Sequence, residues 1–323
     1  MRVNITQRGV TETLKMTLAA PKTLQATKPS RKRRRKEMRM GYLFVGPMLL
    51  GVIIFTLIPM IFSFTLSFTK WSFVTGFDKI KFIGLDNFRA LFQDDVFLKS
   101  LGNNFIMLLA VPVGMVIALL LAVVISNHVY APGAFKVIYF MPQISSVVAV
   151  AVVWQVLFHP SYGPVNGFLS ALGMDNPPKW LADPNFALPS VMLLMIWIDL
   201  GVSLIIYNAG LKNIPADLYE AATIDGASKW AQFRSITLPL LTPTTFFLLV
   251  TGIIGNFKSF ALIKVLTDGG PAHSTSVVVY DMYQTAFVDL QTGYASSMVM
   301  ILFLCLLAIT ALQWIGQKFW VNY

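Results

Sequence analysis

One cysteine, Cys305, stands in the whole chain of 323 residues, which excludes an intramolecular disulfide and any cysteine-based metal cluster. Histidine is almost as scarce. His128, His159 and His273 lie far apart without metal-ligand spacing, and read as loop residues. Charge is thin as well: 12% of residues are charged, where a soluble domain carries roughly a quarter. A phosphate-binding loop is also missing. The nearest string, "GIIGNFKS", has Phe257 before Lys258 where glycine must let backbone amides cradle phosphate. No paired carboxylates or nucleophile constellation offers a defensible geometry, so the chain is not expected to catalyse a reaction by itself. The first forty residues hold no continuous apolar stretch, so no signal peptide is expected and targeting falls to the first span.

What is present is grease. Hydrophobic residues make up 56% of the chain and mean hydropathy is +0.67, which marks an integral membrane protein. A helix needs about twenty apolar residues to cross the hydrocarbon core. Segments near 42–68, 103–126, 137–157, 188–209, 240–262 and 296–316 qualify, predicting an all-α, polytopic bundle of six transmembrane helices. Pro47, Pro59, Pro112 and Pro142 fall inside them, as bundled spans tolerate. With six spans, 17 of the 25 lysines and arginines fall on the side shared by both termini, and 8 on the other. The positive-inside rule therefore places both termini and the stretch 210–239 in the cytoplasm.

The chain divides into a basic tail, 1–40, and a membrane domain, 41–323. The tail carries "RKRRRKEMR" just before the first span. With no aromatic interleaving and no folded reader around it, it reads as an anchor on anionic lipid, at roughly 1 kcal/mol per basic residue, and not as a nucleic-acid contact. In the first outer loop, "FIGLDNFRALFQDDVFLKSLGNN" has helical spacing. Phe88, Leu91 and Phe92 can share a face, predicting a short helix along the outer membrane surface.

Between two spans sits "LYEAATIDGASKWAQFRSITLPLLTP", a polar, punctuated stretch far longer than a tether requires. Pro215 suits a first helical turn, with Asp217 and Glu220 near its positive end. Gly226 can take the left-handed conformation that closes a helix, Ser228 can cap the next, and Pro239 is expected to stop it. Small residues on an exposed helix let another surface approach closely. The loop reads as built to be gripped from the cytoplasm; an amphipathic helix resting on lipid would need a larger apolar face.

"EAATIDG", nine residues, then "ITLP" resembles the EAA loop of bacterial ABC importer permeases. Glu220, Ala221, Ala222, Gly226, Ile236, Leu238 and Pro239 match it with every spacing kept. "YFMPQISSVVAVAVVWQVLFHPSYGPVNGFLSALG", "AGLKNIPADLYEAA" and "LTDGGPAHST" resemble the sugar-importer branch, as in maltose and glycerol-phosphate permeases, over about 41–323. The resemblance implies one half of a two-permease pore in the bacterial inner membrane. It also implies a cytoplasmic ATPase dimer that carries the ATP and magnesium, and an extracytoplasmic solute-binding protein. Glu220 would pair with a basic residue of the ATPase, and Gly226 would set the angle between the short helices. The implied substrate is a sugar or oligosaccharide, alginate oligosaccharide being the acidic case. The chain departs from the maltose-type subunit in having six spans and no large folded outer loop.

Lys258 and Lys264, at the outer part of the fifth span, and Asp199 in the fourth are charges at membrane depth. Lys258 lies about 9 Å inside the level of Lys264. Such charges face a watery path or a partner. Three readings stand: Lys264 snorkels to the interface, Lys258 pairs with Asp199, or the ammonium groups balance carboxylates of an acidic substrate. An ion-coupled carrier would place ionisable residues in its spans and repeat its broken helices, and no second half is visible. A membrane-anchored scaffold would need no docking helix, and an ABC permease for a non-sugar solute is the remaining alternative.

Overall fold

Backbone in lipid must satisfy its own hydrogen bonds, and this chain does so with helices. The computed structural model describes residues 31–128 and 132–321; residues 1–30, most of the basic tail, lie outside them. Two units are distinguished, divided after Pro59. The first contains α1 (Arg31–Val52) and a five-residue wide turn, Ile53–Leu57. From Met60 the second contains most of α2 (Ile58–Leu66) and everything after it.

A two-stranded ribbon follows, β1 (Thr69–Lys70) antiparallel to β2 (Lys81–Phe82), with Thr69 opposite Phe82. Then come α3 (Asp86–Leu91), α4 (Asp95–Met107), α5 (Ala110–His128), α6 (Pro132–Ile144), α7 (Val147–Leu157), α8 (Pro164–Ala171) and α9 (Pro184–Lys212). The polar stretch forms α10 (Ala216–Ile224), α11 (Lys229–Gln232), a wide turn Phe233–Thr237 and α12 (Leu238–Leu240). The remainder is α13 (Thr242–Phe257), α14 (Ala261–Leu266), α15 (Val278–Tyr283), a wide turn Gln284–Val288 and α16 (Thr292–Gly316).

Among the described residues, four helical stretches are long and apolar enough to cross a membrane: Met38–Leu66, Asp95–Ser126, Pro184–Lys212 and Thr292–Phe319. Two bent pairs bring the total to six when each pair is counted as one span. Val137–Ile144 and Val147–Leu157 meet at 105°, and Lys229–Leu240 meets Thr242–Phe257 at 60°. The third expected span is therefore broken, not straight. Pro142 offers no N–H, Ser145 Oγ donates back to Met141 O at 2.9 Å, and Ser146 is extended, ending α6 within a turn.

Pro239 does not stop its helix either. Leu238 N donates to Phe233 O, five residues back, so the wide turn opens the helix where the proline ring would crowd it, and α12 runs on to Leu240. Ile58 N donates to Ile53 O in the same way, one residue before Pro59.

α9 is the central post. Its Leu194, Leu204 and Tyr207 are almost fully buried, and it packs on α5 and α6. Gly201 lets the α9 backbone lie against the backbone of Tyr139 and Phe140 in α6, where a Cβ would overlap Tyr139 O. A second cluster joins Leu91, Phe97, Phe257, Val278 and Met298. That cluster corrects the expectation for the first outer loop. α3 forms, but Leu91 is fully buried in the bundle while Phe92 stays 60% exposed, so the helix docks on protein by Leu91 and does not lie on lipid by a three-residue face.

Candidate functional site

The stretch after α9 is ordered by short-range chemistry. Ile214 is buried and Pro215 occupies the N-cap of α10, with Asp217 in the first turn. At the other end Gly226 has φ +78°. Its N–H donates to Thr223 O at 3.1 Å, and Ala227 N donates to Ala222 O at 2.8 Å, the paired bonds of a glycine-closed helix end. Ser228 Oγ then accepts from Ala231 N at 3.3 Å, capping α11. Two of the sequence-predicted residues, Ala222 and Gly226, are thus parts of one cap.

No residue of α10 is buried. Glu220 and Ala221 are exposed, and Ile224 is 86% exposed, the side chain of a helix with no cover from its own chain. What holds α10 in place is a set of polar contacts to the second arm. Tyr219 Oη lies 2.9 Å from Thr237 Oγ1, and Gln232 Nε2 donates to Thr223 Oγ1 at 3.0 Å and to Ala227 O at 3.2 Å. Gln232 and Thr237 are buried and Thr223 is exposed, so these bonds are partly shielded from water. Sequence reasoning missed Tyr219, Thr223, Gln232 and Thr237; a polar residue facing inward from each short helix was the available signal.

Ile236 packs with Tyr219 and Phe233 against buried Met115, Ile214 and Leu241. It ties the second arm to α5 and α13. Leu238 and Pro239 sit lower, lining an apolar groove with Tyr207, Thr245 and Trp320. An exposed helix is pinned to a second helix, and that one is rooted in the bundle.

A separate cavity of about 330 Å³ opens among α5, α6, α9 and α13. Gln143, Asp199, Ser203, Thr251, Asn256 and Ser259 supply its polar groups, against a largely apolar wall. Asn256 is buried and gives its amide to Met107 O at 2.9 Å, which leaves its Oδ1 without a partner. Asp199 carries no ion pair among the described residues.

The three charges singled out in the sequence do not come together. Lys258 is exposed and makes no salt bridge among the described residues, so of the three readings the pair with Asp199 is absent: Asp199 faces the cavity, and neither lysine lines it. Nor does Lys264 reach for the interface alone. It binds Asp268 Oδ1 at 2.7 Å, one helical turn on, and lies 5.7 Å from the ring centres of Tyr280 and Tyr283. The Asp268 hydrogen bond raises the Lys264 pKa and Lys264 in turn lowers that of Asp268.

Residues 107–321 match the family described as binding-protein-dependent transport system inner membrane component. A probable ABC transporter permease of Bacillus subtilis, YesP, is 37% identical over 90% of this chain and 94% of its own. The lactose transport system permease LacF of Rhizobium radiobacter is 33% identical over 86% of this chain and 94% of its own. Among solved structures, a bacterial alginate ABC transporter in complex with an alginate pentasaccharide-bound periplasmic protein contains a chain that superposes with TM-score 0.76. The identity is 27%, covering 88% of this chain and 96% of that one.

Proposed function

From the membership of this chain in the binding-protein-dependent transport system inner membrane component family, we propose that it is the pore-forming permease subunit of an ATP-driven importer for a sugar or oligosaccharide. The observation that carries the reading is the uncovered α10, held by Tyr219–Thr237 and Thr223–Gln232 to an arm rooted in α13. A loose loop would dissipate displacement; two capped helices clamped by partly buried hydrogen bonds transmit it. Glu220 and Ala221 face outward for a cytoplasmic ATPase dimer, which carries the ATP and magnesium. A second permease subunit completes the pore, and an extracytoplasmic binding protein delivers the solute. Both termini then lie in the cytoplasm, and the basic tail faces anionic lipid.

The solute class follows from a relative named for lactose transport and from the wall of the cavity. Hydroxyl-rich molecules need many short-range donors and acceptors set in apolar surroundings. Gln143, Ser203, Thr251 and Asn256 offer these, and the Asp199 carboxyl can accept from sugar hydroxyls.

Glu220→Lys and Gly226→Val test the coupling role. The first reverses a charge at the docking face. The second forces a β-branched residue to φ +78°, at roughly 1–3 kcal/mol, with open space around the Cβ. Both variants should insert in the membrane yet lose at least about tenfold in uptake and in recovery of the ATPase. Wild-type uptake and normal complex recovery in both would defeat the proposal.

A further inference from the structure

A second pocket, about 530 Å³, lies where the N-terminal ends of α4 and α16 meet the segment 268–291. By chain connectivity this is the end of the bundle opposite to the stretch 213–228. Asp94, Asp268, Asp281 and Asp289 all border it, from four different elements. Two of these carboxylates are already satisfied. Asp94 caps α4 through Val96 N and Phe97 N and accepts Tyr294 Oη at 2.9 Å; Asp268 holds Lys264 and Tyr280.

Asp281 is different. Its side chain is nine-tenths buried, borders the pocket, and has Oδ2 sealed from water without any hydrogen-bond partner. A carboxylate oxygen left so costs free energy unless a cation or donor arrives. The wall brings no lysine or arginine: Lys264, which does not line the pocket, is bound to Asp268, and His273 is the one basic side chain among the lining residues.

We propose that this pocket receives one basic side chain, lysine or arginine, from the extracytoplasmic binding protein, with Asp281 as its anchor. The inference rests on the reading of the chain as a binding-protein-dependent permease. Three observations favour a protein-borne cation over a free one. Among the described residues no three acidic or histidine groups are placed to hold a metal ion. The volume suits an extended side chain, and Gln284 and Gln291 add amide oxygens that the several donors of a guanidinium can use. Val288, 61% accessible, borders the pocket, and Phe287, 59% accessible, precedes it in the chain, so exposed apolar side chains stand beside the polar socket as in protein interfaces.

The socket is also pre-formed. Asn103 donates to His273 O and Ser276 O, Asn104 Oδ1 accepts from Val278 N at 2.9 Å, and Lys99 donates to Ala272 O. The loop before Asp281 therefore need not be ordered on binding. Burial, with Asp94 and Asp289 alongside, pushes the Asp281 carboxyl up to about 6, so it is ionised in a neutral outer medium.

The test uses the assembled transporter in nanodiscs and measures ATP hydrolysis against the concentration of its solute-loaded binding protein. Asp281→Asn should raise the half-saturating concentration about tenfold while the plateau rate is retained, and should flatten its dependence on NaCl. Asp289→Asn should act in the same direction, less strongly. Asp86→Asn, which alters an exposed carboxylate bound to Arg89 away from the pocket, should leave the curve unmoved. A wild-type complex that the binding protein stimulates, with Asp281→Asn and Asp289→Asn superimposing on it, overturns the pocket alone. A wild-type complex that no binding protein stimulates overturns the permease reading as well. If replacing sodium by choline abolishes stimulation in wild type but not in Asp281→Asn, the pocket holds a free metal ion and the proposal falls.

Discussion

Asp281 illustrates how one buried carboxyl can lower stability without being an error. Its ordinary value of 3.8 is pushed to about 6, first by desolvation and then by Asp94 and Asp289. The groups around it are Asp94 from the start of α4, Asp268 and His273 from the loop, Tyr280 on its own helix, Asp289 past the wide turn and Tyr294 from α16. Since the folded state holds the proton more tightly than the unfolded chain, the stabilising contribution is present below about pH 4 and lost as pH rises through about 6. Above that, an ionised and unpartnered Asp281 costs on the order of 1–2 kcal/mol after allowance for solvent screening. Asp281→Asn should therefore raise the thermal midpoint in detergent at pH about 7.5 and raise it less near pH 5, with the difference vanishing only below about pH 4. A shift of equal size at both values would mean that packing, not charge, governs the site. Lys264 and Asp268 show the opposite case, an exposed pair that satisfies itself and adds little.

At the scale of elements, the local signals in the sequence were readable and the distant ones were not. Pro215, Gly226 and Ser228 cap because each acts on backbone within four residues, and α10 and α11 form where those residues predict. The break at Ser145–Ser146 was not legible: Pro142 marks a weakness in α6 without saying whether the helix bends or ends. The Lys258–Asp199 pair failed for a plainer reason. Which way two helices face is set by tertiary packing, and Asp199 turns to the cavity while Lys258 turns away. Leu91 went the same way, its burial depending on Phe257 and Met298, far along the chain. Small residues at helix contacts carry a further test. Gly201→Val drives a branched side chain into the α6 backbone and should cost more than about 2 kcal/mol, seen as loss of monodisperse protein on fluorescence-detected size exclusion. Gly102→Ala, inside α4 with nothing within 4 Å of the added Cβ, should be neutral or stabilise by roughly 0.5–1 kcal/mol.

For the whole molecule, the arrangement has two ends of different character. One end carries the exposed α10 and the other the acidic pocket, with the cavity that holds Asp199 formed by helices between them. The orientation drawn from basic residues can be tested at exposed sites. Ser161, exposed in the loop before α8, is well placed on the expected outer side, and exposed Lys229 on the expected inner side. In a Cys305→Ser background, Ser161→Cys should react with an impermeant thiol reagent in intact cells and Lys229→Cys should not. Labelling of Lys229→Cys from outside would invert the assignment. Many large apolar side chains of α5 and α16 remain exposed, Val116, Leu120, Leu307 and Leu312 among them, as a helical bundle with lipid around it requires.

The wide turns at Ile53–Leu57 and Phe233–Thr237 bear on how such a chain can vary over descent. Each winds one extra residue into the circuit, so the stripes of side chains before and after it keep separate phases. A single-residue insertion or deletion inside Phe233–Thr237 can be absorbed by exchanging a wide turn for an ordinary one, and both flanking faces keep their aim. The same event in α9, which is helical without such a turn from Pro184 to Lys212, would swing every later side chain by about 100°. Length variation among related sequences should therefore gather at the wide turns and spare α9.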